Sequence, residues 1–259
     1  MTKFFHEAPN SIFHLVQQHT DGDYCLVHLL EHNETYRNLF KQAVNDGREV
    51  ILDNSIFELG ESYDPDRYAY WIDWLKPTWY IIPDVLEDMQ GTINNLDAWV
   101  FNEDRKNLPG KKIAVVQGRS VDEIQFCYNK IQPFVDMVAI SFDYSFFENQ
   151  IGENQEDKWM RGRQRLIFEM NKWVNRTKPH HLLGTALPQE GIFYKDHYPW
   201  IYSIDTSNPV VHGLYGIRYK TNGLEIKERM KLADMIDEDV TSARNIIVEN
   251  IEQFKRFWQ

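Results

Sequence analysis

Ile201-Tyr202-Ser203-Ile204-Asp205-Thr206-Ser207-Asn208-Pro209 is the stretch that decides how this chain folds. A β-branched and aromatic run ends on one carboxylate and then breaks into polar turn residues. That is how a buried strand delivers a polar group to the rim of a sheet. The same shape occurs at Val50-Ile51-Leu52-Asp53 and at Tyr80-Ile81-Ile82-Pro83-Asp84, with an amide form at Ile113-Ala114-Val115-Val116-Gln117. An Asp after a strand is commonly a turn former or helix cap. The recurrence of the pattern carries more weight than any single instance.

Outward from these runs, short apolar segments alternate with longer amphipathic ones. Strands are expected over residues 24–30, 49–53, 79–83, 112–117, 136–142, 180–185, 200–205 and 214–219. Helices are expected between them. Residues 34–46 end at Gly47, Asp64-Pro65 opens a helix to about residue 75, and Ser120-Val121-Asp122-Glu123 is a capping-box pattern. Further helices are expected over 87–107, from a polar loop at 146–158 to about 176, and around 189–197. Residues 225–237 and 240–258 read as two helices in a C-terminal segment, 225–259. Strands alternating with helices at this length predict an α/β fold, a (β/α)8 TIM barrel in a single domain spanning 1–259. An open doubly wound sheet is the alternative, and no glycine-rich loop follows the first strand to support it.

The bulk numbers set limits. With 259 residues and 42% hydrophobic content the chain is long enough for one large core or two small ones. No apolar run is long enough to cross a bilayer, and the N-terminus lacks a signal-peptide pattern. Membrane association is not expected. Cys25 and Cys127 form no disulfide framework, and a reducing, cytoplasmic setting is the default. The net charge of −11 argues against general charge-driven binding of nucleic acid. A local basic run, Lys158 to Arg165, is either one solvated helix face or a phosphate contact.

In a barrel the polar strand ends face the catalytic side. Asp53, Asp84, Gln117, Ser141 or Asp143, Thr185 and Asp205 hold that position, and His28 ends the first expected strand. Neither a metal motif nor a serine or cysteine nucleophile motif is present, so no cofactor and no metal are expected. Adjacent His180 and His181 should point to opposite faces, one into the core and one to the surface. The carboxylates are suited to a glycosidic centre, where one attacks the anomeric carbon and another moves a proton. Asp and Gln also suit the edge of a purine. Phe57, Tyr63, Tyr144 and Phe146 either stack on a base or pack the rim.

Taken in chain order, these segments resemble the tRNA-guanine transglycosylases, barrel enzymes that exchange guanine for a 7-deazaguanine. Leu52-Asp53-Asn54-Ser55-Ile56-Phe57-Glu58 is similar to the family's Asp-Ser-Gly-Gly-Phe-Gln segment. Pro83-Asp84-Val85 lies where the family has a base-recognising Asp. Val116-Gln117-Gly118 matches Val-Gln-Gly-Gly. Val138-Ala139-Ile140-Ser141-Phe142 sits at the Ile-Gly-Gly segment. His181-Leu182-Leu183-Gly184-Thr185-Ala186-Leu187-Pro188 resembles Leu-Met-Gly-Val-Gly-x-Pro. Tyr202-Ser203-Ile204-Asp205-Thr206 falls where the family has its nucleophilic Asp.

The resemblance implies catalytic roles for Asp205 as nucleophile and Asp53 as general acid/base. It implies substrate contacts from Asp84, Gln117, Gly118, Ser141, Gly184, Phe57 and Asp143. The implied partners are a nucleic acid, DNA or tRNA, and a 7-deazaguanine base. The family's Cys/His zinc site has no counterpart, and Asn54-Ser55 and Ser141-Phe142 replace its glycine pairs. These departures resemble the compact, often phage-encoded relatives that modify DNA, which implies the host cytoplasm if the chain is viral. A DNA glycosylase or nucleosidase, and a non-catalytic purine-binding barrel, are the competing expectations.

Overall fold

The computed structural model describes residues 1–259. Its strands are β1 (Lys3–His6), β2 (Gly22–Leu26), β3 (Glu49–Asp53), β4 (Trp79–Ile81), β5 (Lys111–Val115), β6 (Met137–Ile140), β7 (His180–Leu182) and β8 (Ile201–Thr206). They close into a parallel barrel in the order β1-β2-β3-β4-β5-β6-β7-β8. The helices are α1 (Phe13–Gln17), α2 (Val27–His32), α3 (Glu34–Asn45), α4 (Ile56–Leu59), α5 (Pro65–Leu75), α6 (Met89–Val100), α7 (Val121–Ile131), α8 (Gln155–Met170), α9 (Gly191–Tyr194), α10 (Asn208–Leu214) and α11 (Arg244–Trp258). This is the expected α/β barrel with C-terminal helices. No helix is long and apolar enough to cross a membrane.

Two of the expected strands are corrected. Residues 214–219 form no strand: α10 runs to Leu214, and Gly216 takes a left-handed φ of 72° beside the Ile217 N–H bond to the His212 carbonyl. That is a helix ending on a glycine, which an apolar composition alone does not reveal. The missing strand is β1, whose four residues pair with β8 in the register Lys3↔Ser203, Phe4↔Ile204, Phe5↔Asp205 and His6↔Thr206. The first expected strand also stops early. Val27–His32 is helical, so His28 is not a strand end but the start of α2, with its Nδ1 at 2.8 Å from Ser55 Oγ. Residues 225–231 are irregular rather than helical, followed by a short 3-10 turn at Leu232–Met235.

Side-chain caps open five of the eleven helices, α3, α5, α6, α7 and α8. Asp64 Oδ1 accepts from the amides of Asp66 and Arg67, with Pro65 in the first turn. Ser120 Oγ accepts from Glu123 N, while the Glu123 carboxylate turns to Arg119 N instead of closing the box on Ser120.

By internal contacts the chain divides into two compact units. One comprises Gly22–Ile140 and Lys178–His180 and contains the β2-β3-β4-β5-β6 ladder. β2, β3, β4 and β6 are buried on both faces almost throughout, as parallel strands under helices must be, while β5 starts exposed at Lys111. Met1–Asp21, Ser141–Thr177 and His181–Gln259 make the other. There β1 alternates: Phe4 and His6 pack edge-on against Phe254 of α11, and Phe5 faces His181. A Cβ on Gly213 would lie 2.4 Å from the Ile247 side chain, so glycine lets α10 and α11 touch.

Candidate active site

In the unit built on β2 to β6, three strand ends meet through their side chains. Asp84, just beyond β4, is the buried centre. Its Oδ1 accepts from Asn54 Nδ2 at 2.8 Å and its Oδ2 from Gln117 Nε2 at 2.7 Å. Burial pushes its carboxyl above the ordinary range, and these two amide donors pull it back. Gln117 is held in turn, because its Oε1 accepts from Glu87 N at 2.9 Å. Asn54 also donates to the Ile82 carbonyl and accepts from Ile56 N. Asn54 is therefore a positioning amide for Asp84, a role not read from the sequence.

Asp53 ends β3. Its Oδ1 accepts from Ser55 N at 2.6 Å, and its Oδ2 from the Tyr24 hydroxyl at 2.7 Å. The first bond closes a tight turn in which Ser55 takes a left-handed φ of 60°. The second pairs a carboxylate with a phenol inside the barrel wall. Beside Asp84 opens a cavity of about 350 Å³, walled by Ile56, Tyr63, Pro83, Val85 and Leu86. Glu61, Ser62 and Asn95 also line it, so apolar walls meet a few polar groups, the usual make-up of a small-molecule site.

Phe57 lies on α4 and is half exposed. Gly118 has a packing role: a Cβ there would lie 2.7 Å from Glu123 Cβ at the start of α7. Both cysteines are buried and unbridged. Burial pushes the Cys127 thiol up to about 11, and its sulfur lies 3.5 Å from Gln117 N.

The other unit holds Asp205, almost wholly buried near the end of β8. His181 Nε2 lies 2.9 Å from Asp205 Oδ1, and Gly184 N donates to the same oxygen at 3.1 Å. His181 Nδ1 lies 2.8 Å from Ser203 Oγ. Ser203 and Asp205 are two apart on β8 and therefore share a face. His180 and His181 do point oppositely, but both are fully buried. The expectation of one surface histidine is therefore corrected: His180 stacks on Tyr128 of α7 with ring centroids 5.7 Å apart. A helix covers the outer face of that strand, so neither face sees solvent.

Gly184 is fixed from behind. Its φ is +57°, and a Cβ would lie 2.7 Å from the Phe142 ring. Its carbonyl accepts from Arg163 Nη2 at 2.8 Å, and the Leu183 carbonyl from Nη1 at 2.6 Å. Arg163 also grips Glu190 with both forks, Nε to Oε1 at 2.7 Å and Nη2 to Oε2 at 2.9 Å. Tyr194 donates to Glu190 as well. Burial alone would lower the guanidinium pKa, but Glu190 overrides it and raises it. The basic run 158–165 is therefore neither one solvated face nor one phosphate patch. Arg163 is core, and Arg161 pairs with Asp157.

Ser141 donates to Asp143 Oδ1 at 2.7 Å. Burial raises the Asp143 carboxyl, opposed by Ser141 and then by Lys227. Lys227 comes from the irregular segment after α10 and sits 4.7 Å over the Phe142 ring. Burial lowers its pKa against the fields of Glu7, Asp143 and Asp205. Thr185 is buried, with no partner for its hydroxyl. Tyr144 and Phe146 stack on each other, and the Tyr144 hydroxyl accepts from Ser141 N. No group of three or more His, Cys, Asp or Glu side chains is arranged to hold a metal ion.

Of the expected residues, the structure thus links Asp53, Asp84 and Gln117 in one unit through Asn54 and its neighbours. Asp205 with Gly184, and Ser141 with Asp143, form the clusters of the other. His181, Ser203, Arg163 and Lys227 were not singled out as site residues by the sequence. Ser203 had a signal, its i, i+2 spacing to Asp205; His181 and Arg163 lay in stretches that stood out for other reasons, and Lys227 carried none.

His6 supplies a pH test of the second unit. Its Nδ1 lies 3.0 Å from the Thr206 carbonyl, and burial lowers its pKa to about 4. The native state therefore keeps a neutral ring that the unfolded chain protonates below 6.5. Stability should be full above that value and fall as pH drops toward 4, by up to roughly 3 kcal/mol. Urea unfolding at about pH 7.5 and about pH 4.5 measures this, and His6→Asn should flatten the difference. Equal pH dependence in variant and wild type would clear His6 of the effect.

Comparison with known proteins finds no family model and no curated protein that matches this chain.

Proposed function

We propose that the chain is a base-exchange transglycosylase that replaces guanine in a nucleic acid, DNA rather than tRNA, with a 7-deazaguanine. The observation that carries this reading is the Asp205 carboxylate. Both of its hydrogen bonds fall on Oδ1, and Oδ2 carries none. A buried carboxylate with one pinned and one unengaged oxygen is equipped to be a nucleophile.

In the proposed reaction Asp205 Oδ2 forms a bond to C1′ of a guanosine unit while the bond from C1′ to N9 breaks. The bonding pair leaves with guanine, which takes up a proton. The incoming base gives up its N9 proton, attacks C1′, and expels the Asp205 carboxylate. Asp53, paired with the Tyr24 hydroxyl, handles the proton. Asp84 keeps lone pairs for the N–H groups of the base edge, with Gln117 and Asn54 holding it. Phe57, Gly118, Ser141, Gly184 and Asp143 complete the substrate contacts. A target inside a duplex must be flipped out of the stack. The unbridged cysteines fit a cytoplasmic setting, the host's if the chain is viral.

The test is to incubate the protein with guanine-containing DNA or tRNA and a labelled free base, quench, and weigh the peptides. The expected result is an adduct on the peptide containing Asp205, with label entering the polymer. Guanine released without any added base would instead indicate a hydrolase. Neither adduct nor incorporation on either polymer would end the exchange reading. Asp84→Asn should weaken binding of the free base about 10- to 100-fold by calorimetry, the loss of a bond to a charged acceptor. Unchanged affinity would remove Asp84 from the base contact.

A further inference from the structure

Asp205 does not stand alone: a histidine from the neighbouring strand lies within hydrogen-bond distance of its Oδ1. We infer that His181 is the positioning residue of Asp205, holding Oδ1 through a neutral imidazole with its proton on Nε2. The inference rests on the reading of Asp205 as the nucleophile and adds to it how the carboxylate is aimed.

Three observations carry it. An ionised carboxylate only accepts, so an imidazole nitrogen 2.9 Å from Asp205 Oδ1 must bring the proton. With Nε2 protonated, Nδ1 is an acceptor, and it faces a hydroxyl, Ser203 Oγ, at 2.8 Å. That hydroxyl rotates to donate, so the same tautomer satisfies both ends. Finally, His181 and Ser203 are fully buried, and Phe5 stands edge-on to the imidazole with centroids 6.3 Å apart. The ring is held by its packing, and its hydrogen bond, with that of Gly184 N, holds Oδ1.

The arrangement has a chemical consequence. Gly184 N and His181 Nε2 both address Oδ1. When Oδ2 forms the ester with C1′, Oδ1 becomes its carbonyl oxygen and loses most of its charge. When the incoming base attacks C1′, the bond from C1′ to Oδ2 breaks and the electron pair returns to the carboxylate. Two preorganised donors already face the group on which that charge reappears. His181 therefore orients the attack and stabilises the carboxylate as leaving group in the second half of the exchange.

The experiment pairs kinetics with spectroscopy. His181→Phe preserves the volume of the ring and removes the donor. It should lower kcat on the order of 10²-fold, the usual cost of one such donor, with KM nearly unchanged. His181→Gln keeps an N–H near the ε position and should recover most of that loss. Long-range nitrogen-proton NMR of the wild type, assigned by the signal missing in His181→Gln, should show the Nε2–H tautomer. A kcat for His181→Phe within about twofold of wild type overturns the inference, as does equal loss in both variants. So does an Nδ1–H or doubly protonated ring. If Asp205→Asn keeps its activity, the nucleophile assignment fails instead, and the tautomer still reports whether His181 holds Asp205.

Discussion

Asp205→Asn should eliminate the proposed covalent adduct and lower the proposed base exchange by roughly four to six orders of magnitude, while the protein stays folded. The size follows from removing the proposed nucleophile itself. The fold survives because the amide is nearly isosteric and keeps one acceptor oxygen. Turned toward His181 Nε2 and Gly184 N, that oxygen retains both hydrogen bonds now made by Oδ1. The opposite rotamer sets an NH2 against two donors, so the amide orientation is fixed. The NH2 group then occupies the place of Oδ2, and an amide nitrogen does not attack C1′. Stability should change by no more than about 1 kcal/mol, the scale of charged against neutral acceptance. Intact-mass analysis after quenching and a thermal melt read the two halves of the prediction. Exchange within about tenfold of wild type would show that another group carries the sugar.

Arg163→Met should cost about 3–5 kcal/mol of stability, the largest structural effect expected of a single change here. Methionine fills similar space, so lost packing is not the cause. The variant leaves the Glu190 carboxylate buried with Tyr194 as its remaining side-chain donor, and strips the Leu183 and Gly184 carbonyls of their guanidinium. For a chain of this size that loss lowers Tm by about 6–20 °C. The double change Arg163→Met with Glu190→Met should regain much of it, because the penalty lies in the unpaired charge. A loss under about 1 kcal/mol in the single variant would show that the pair is not the lock proposed for the turn after β7. Exchange should fall in the single variant too, since Gly184 N is aimed at Asp205 by the same clamp.

These two side chains also differ in how readable they were. Asp205 follows an apolar run and precedes Thr-Ser-Asn-Pro, a purely local pattern. Arg163 sits among Lys158, Arg161 and Arg165, where composition points to solvent. Its partner Glu190 is 27 residues away. Only the packing of α8 against the turn before α9 makes it core. Likewise 214–219 has strand composition, but Gly216 takes a left-handed turn there, while Lys3–His6 is too short to show a period and becomes a strand by pairing with β8.

What the sequence determined by itself is the local grammar: buried strands ending in Asp53 and Asp205, polar residues following at Asp84 and Gln117, caps at Asp64 and Ser120, and the repeating alternation that closes as a barrel. Those features depend on neighbours a few residues apart, where side-chain period and backbone preference act. What only the tertiary structure decided is the state of each polar group. Asn54 and Gln117 clamp Asp84, Tyr24 meets Asp53, and His181 with Gly184 takes one oxygen of Asp205 and leaves the other. The physical reason is that a buried polar atom must find a partner, and its partner is set by which strands and turns lie side by side.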